Sequence, residues 1–190
     1  MKRRIYILAI FCIALIPEIS TAQQYICEYA VSNQRNKLVL SAPPKVALER
    51  INDILYVVGL KGNFSILSAN VGNAVAMVQG SKRFILINPY FMQELQNQSK
   101  SVWTTYSILA HEIGHHLNGH TIGAQNSPHQ SELEADEFSG FILGKLGANL
   151  IESQQAIGMI SGHDGTKTHP ARKYRMNAIA KGWKRGVDRG

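Results

Sequence analysis

Leu109-Ala110-His111-Glu112-Ile113-Gly114-His115-His116-Leu117-Asn118 lies in the second half of a 190-residue chain. The apolar spacing predicts a helix from Ser101 to Asn118, stopped by Asn118-Gly119. On such a helix His111 and His115 are four residues apart and about 40° apart around the axis, so both imidazoles point the same way. That is the spacing two ligands need to hold one zinc ion. Glu112, between them, is placed to polarise a zinc-bound water and to carry its proton to a leaving amine. Val102, Tyr106, Leu109, Ile113 and Leu117 form an apolar stripe on the other side, which predicts one face in the core and one facing a polar cleft. All seven histidines fall between His111 and His169, a clustering that a scattered structural set does not produce.

A third ligand must come from elsewhere. On the same helix His116 and His120 lie about 140° and 180° from His111, out of reach of the same metal, so both read as packing or surface residues. The metzincin spacing requires glycine at 118 and histidine at 121, where this chain has Asn118 and Thr121. The next helix offers Glu132-Leu133-Glu134-Ala135-Asp136. Glu132 and Asp136 share a face, which suits a carboxylate ligand and a second carboxylate that accepts the remaining N–H of a zinc histidine. Glu134 and Glu137 lack such a partner, because Phe138 and Phe141 stand four residues on. The ligand set read here is therefore His111, His115 and Glu132, with Asp136 behind it. Gly114, Ala135 and Gly140 are small enough to let the two helices approach closely.

Around this centre the pattern is α+β. Lys45–Leu60 reads as a helix, and short β-type runs follow at Phe64–Leu67, Ala74–Val78 and Phe84–Ile87, with a hairpin turn at Gly80-Ser81. Helices are expected from Pro89 to Leu95, Gln130 to Ala148 and Leu150 to Ile160, and a last one opening at Pro170. A small sheet early and helices late indicate one compact, mainly helical domain over residues 23–190. With 45% hydrophobic and 17% charged residues and no repeat, the chain is neither disordered nor collagen-like nor a polytopic membrane protein.

Residues 1–22 read as a secretory signal. Lys2, Arg3 and Arg4 precede an apolar run from Ile5 to Ile16; Pro17 breaks it, and Ser20-Thr21-Ala22 supplies small residues for cleavage after Ala22. The run is too short to span a bilayer, which takes about 20 residues. Cys12 leaves with the signal, so Cys27 has no partner in the chain, and a cysteine zinc cluster is excluded.

Together these residues resemble the gluzincin peptidases that include HtpX and the CAAX prenyl protease. His-Glu-x-x-His followed by Glu-x-x-Ala-Asp is similar to that family's pattern. So are Asn73-Ala74-Val75-Ala76, the Leu109-Ala110 lead-in, and Thr168-His169-Pro170 with Arg175 six residues past His169. The resemblance covers roughly residues 45–180. It implies a compact zincin-type domain in which the Asn73–Val78 strand, with Asn73 and Ala74 at its start, forms an edge beside the active-site helix and takes peptide as an added strand. It implies that His169 stabilises the oxyanion or binds the scissile carbonyl, and that Arg175 fixes its loop or contacts nearby acidic groups. His163 and Asp164, in the Gly162–Thr168 loop, are placed to flank the cleft. The membrane members carry several transmembrane helices and this chain has none after the signal, so it resembles the small exported members that cleave proteins outside the cytoplasm.

The expected activity is that of an exported, periplasmic or secreted zinc endopeptidase acting on unfolded or extended proteins, with one Zn2+ per chain. A catalytically silent zinc-binding envelope chaperone is the alternative, but it predicts loss of the catalytic glutamate or the third ligand, and both are present. The chain carries a formal net charge of +7, and residues 167–190 hold eight Lys/Arg against Asp188 alone. Export argues against nucleic acid as partner and leaves a weak contact with an anionic envelope surface.

Overall fold

A computed structural model describes residues 37–122 and 127–188. The expected signal, its cleavage site and Cys27 lie outside the described residues. The described chain is a mixed helix–sheet structure with six helices and one four-stranded sheet. None of its helices is long and apolar enough to cross a membrane.

After a two-residue strand β1 (Leu40–Ser41) comes helix α1 (Lys45–Val58), whose Ala47, Ile51 and Ile54 turn inward at helical spacing. It ends at Gly59, whose φ of 68° is the left-handed cap that favours glycine. Strands β2 (Ser65–Ala69), β3 (Ala74–Gln79) and β4 (Lys82–Ile87) follow. The sheet order is β1-β2-β4-β3, with β2 parallel to β4 and β3 antiparallel to it. The hairpin turns at Gly80, with φ of 61°. β3 is the last strand of the sheet order, as expected, but Ala74 to Met77 are all buried and the Ala76 N–H is taken by the Glu112 carboxylate, so the strand is not an open edge.

Asn88 caps α2 (Pro89–Ser99), its side chain accepting from the N–H groups of Tyr90 and Phe91. Helix α3 (Trp103–Leu117) carries the two-histidine motif. Helix α4 (Pro128–Leu146) starts on Ser127, and α5 (Leu150–Ile160) on an Asn149–Glu152 capping box. The last helix, α6 (Arg172–Val187), begins two residues after Pro170 rather than at it, because the chain is still extended at Ala171 (ψ 146°). The main core joins α1, α3, α4 and one face of the sheet, with Ile54, Ile113 and Ile142 fully buried. Each such side chain contributes roughly 1.5–3 kcal/mol.

Helix α3 is the centre of the fold. Its apolar stripe holds at Leu109 and Ile113, but Val102 and Leu117 at its ends are exposed. The histidine-bearing side is not an open face: everything from Ser107 to His116 is buried. Gly114 admits α4, as predicted, since a Cβ there would lie 3.2 Å from the Ala135 Cα. Gly140 serves a different neighbour: it faces α6, where a Cβ would come within 2.0 Å of the Ile179 carbonyl oxygen. α4 and α6 run parallel, and the pairs Asp136/Arg175, Gly140/Ile179 and Gly144/Trp183 keep a constant 39-residue offset. This packing sets the position of the buried charges below.

Much of the basic C-terminal segment is engaged internally. Lys181 and Arg185 both pair with Glu137, Arg172 donates to the Ser161 carbonyl, and Arg175 is buried.

Candidate metal centre

His111 and His115 project from α3 with their Nε2 atoms 3.0 Å apart. Glu132, on α4, brings Oε2 to 3.5 Å from His111 Nε2 and Oε1 to 3.3 Å from His115 Nε2. All three are buried, and their ligand atoms form a group able to hold a metal ion. Burial alone would lower the His111 pKa, but the Glu132 and Asp136 carboxylates outweigh it and lift it to about 10. Burial likewise works against charge on Glu132, and the two histidines hold its carboxyl well below the usual range. The pocket thus concentrates negative charge where a cation can compete with a proton.

Asp136 sits behind His111, as its spacing from Glu132 predicts. Its Oδ1 is 2.9 Å from His111 Nδ1, which fixes the ring with Nε2 toward the ligand group. Arg175 contacts acidic groups rather than its own loop: it donates from Nε and Nη2 to Asp136 and lies 3.3 Å from Glu132 Oε2. At 3% exposure it is part of the buried site and not a surface arginine.

Glu112 is buried, and its Oε2 accepts the Ala76 N–H at 2.7 Å. The edge of β3 is thereby tied to the carboxylate. Asn73 accepts from the Ala74 N–H through its side chain and from the Asn88 N–H through its carbonyl, which orders the start of that strand. Asn73, Glu112 and His169 line a cavity of about 20 Å³ together with Ile108, Ile157 and Ile160, room for a single water-sized body. His169 brings Nε2 to 3.5 Å from Glu132 Oε2, and its Nδ1 is 2.9 Å from the Thr168 hydroxyl. Burial lowers its pKa against the pull of Glu132. His163 and Asp164 pair with each other in full exposure and do not line this cavity.

Of the two spare histidines, His116 is a packing residue. It stacks on Phe64, its Nε2 lies 2.9 Å from the Phe84 carbonyl oxygen, and burial lowers its pKa to about 4. His120 is not. Its Nδ1 is 3.0 Å from His115 Nδ1 and its Nε2 is 2.9 Å from Glu134 Oε2. Helical geometry places His120 opposite His111 only if the helix continues, and it does not. Asn118 is the cap and Gly119, with φ of 76°, turns the chain back. The Asn118-Gly119 pair was the available signal.

No family model matches the chain, and no curated protein or solved structure matches it.

Proposed function

We propose that this chain is a zinc-dependent endopeptidase of zincin type that acts on unfolded or extended proteins outside the cytoplasm. The observation that carries the reading is the buried His111–His115–Glu132 triangle with the Glu112 carboxylate beside it. The two Nε2 atoms are 3.0 Å apart, and each faces a different oxygen of the Glu132 carboxylate, at 3.5 Å from His111 and 3.3 Å from His115, spacings that suit ligands of a tetrahedral ion. Zinc bonds of about 2.0–2.1 Å set ligand atoms about 3.3 Å apart. Two imidazole nitrogens and one carboxylate are also a donor set that catalytic zinc takes. Export rests on the signal-like pattern of residues 1–22.

His111, His115 and Glu132 would hold the zinc, which when bound would supply Lewis-acid polarisation of a peptide carbonyl and acidify a water. Glu112 takes the proton of the attacking water and delivers it to the leaving amine. The Ala76 N–H orients that carboxylate, and burial excludes competing solvent. His169, accepting a hydrogen bond from the Thr168 hydroxyl at Nδ1, presents Nε2–H to the developing oxyanion. Arg175 positions Asp136 and balances the two carboxylates of α4. Substrate lies in extended form beside β3, at the end of the sheet.

The test is digestion of an unfolded protein such as casein by the purified, zinc-loaded chain, beside Glu112→Ala. Cleavage by the parent and not by the variant supports the peptidase. A folded, zinc-loaded parent that leaves casein intact counts against it.

A further inference from the structure

We infer that His120 is a positioning residue of the metal centre, the middle member of a Glu134–His120–His115 chain that fixes the second histidine ligand as Asp136 fixes the first. The inference rests on the metal reading above and adds to it how His115 is held.

The backbone places the two rings together. Gly119 N–H bonds the His116 carbonyl and His120 N–H bonds the His115 carbonyl at 3.0 Å, the paired closure of a Schellman motif. His115 and His120 are therefore joined through the main chain at the helix end and through their Nδ1 atoms at 3.0 Å. The His120 side chain is 7% exposed, so its orientation is set by packing.

The protons have one consistent arrangement. A metal-bound imidazole is neutral and carries its hydrogen on the nitrogen away from the metal. With Nε2 of His115 in the ligand group, its Nδ1–H must donate, and the atom facing it is His120 Nδ1. That nitrogen can accept only if His120 carries its hydrogen on Nε2. Glu134 Oε2, at 2.9 Å, is the acceptor that stabilises this tautomer. Gln130 donates to the other Glu134 oxygen at 2.8 Å and steadies the carboxylate. Without Glu134, His120 is free to place its hydrogen on Nδ1, and two donors then face each other across the 3.0 Å gap. The negative charge of Glu134 also reaches His115 through the intervening ring and raises its strength as a ligand.

The test is zinc affinity of the purified full-length chain, read by competition with a chromogenic chelator, with circular dichroism to verify folding. Cobalt absorption reports the ligand set. His120→Ala should weaken zinc binding by about 10–100-fold. His120→Asn, whose side-chain oxygen can still accept from His115 Nδ1, should recover part of that loss. Glu134→Ala, at a half-buried side chain, should weaken binding in the parent and have no further effect in a His120→Ala background, since it acts only through that ring. Affinity within twofold of the parent in folded His120→Ala, or losses that add in the double variant, overturn the relay and leave the metal site standing. A parent whose zinc binding is unaffected by His115→Ala overturns the site itself and the relay with it.

Discussion

Arg175 grips Asp136 with two hydrogen bonds, Nε to Oδ2 at 2.7 Å and Nη2 to Oδ1 at 2.9 Å, while the same Oδ1 lies 2.9 Å from His111 Nδ1. One buried carboxylate thus couples the last helix to the first candidate ligand. Arg175→Leu leaves that carboxylate buried without its cation. It should cost about 3–5 kcal/mol in urea unfolding. Arg175→Lys keeps the charge but not the planar fork, and its loss should be smaller. Equal losses in the two variants would show that charge without the fork contributes nothing, and no loss in Arg175→Lys would show that the fork geometry is not what matters.

Metal removal should be visible in stability. An ion that binds only the folded chain stabilises it by about 4 kcal/mol at a thousandfold excess over its dissociation constant. Zinc should therefore raise the thermal midpoint, and a chelator should reverse the rise. His115→Ala should abolish the response. If the variant responds as the parent does, the ion binds elsewhere.

Two glycines should respond in opposite directions to the same substitution. A Cβ on Gly182 would lie 1.8 Å from the Glu137 carbonyl oxygen, so Gly182→Ala must push α4 and α6 apart. A loss of at least about 1–3 kcal/mol is expected. Gly158, inside α5, has nothing within 4 Å of a built Cβ. Gly158→Ala should stabilise by about 0.5–1 kcal/mol through helix propensity and reduced freedom of the unfolded chain. Denaturation midpoints of the two variants decide the matter.

The Tyr106 hydroxyl donates to Asp53 Oδ2 at 2.5 Å. Burial and that carboxylate push its pKa up to about 12 from 10. The folded state then holds a proton that the unfolded state has released between pH 10 and 12. Stability from this group is complete below pH 10 and falls as pH rises through 12. Tyr106→Phe should flatten that part of the stability–pH profile, and absorbance of the ionised tyrosine should rise at higher pH than in a free tyrosine. An unchanged profile in the variant would remove Tyr106 as the cause.

What was legible in the chain was what repeats at short range. Apolar spacing, Pro89, Pro170 and the Asn118-Gly119 stop placed all six helices and the hairpin within a few residues, because these are local properties. The His111–His115 pair and the Glu132–Asp136 pair each lie one helical turn apart. Their convergence from α3 and α4 follows the sequence expectation, since Gly114 leaves room for Ala135.

The tertiary structure decided what depends on chain reversal and on contacts distant in sequence. β1 is two residues long and exists only by pairing with β2. The inward turn of Arg175 onto Asp136 needs the parallel packing of α4 on α6, set by glycines that carry no apolar pattern. His120 acquires its place from one left-handed residue, Gly119, which ends the helix and folds the next imidazole back against His115. By itself the sequence determined which side chains share a face. Only the folded backbone decided which faces meet, because that choice rests on the close approach of main chains and on helix ends, where periodicity no longer applies.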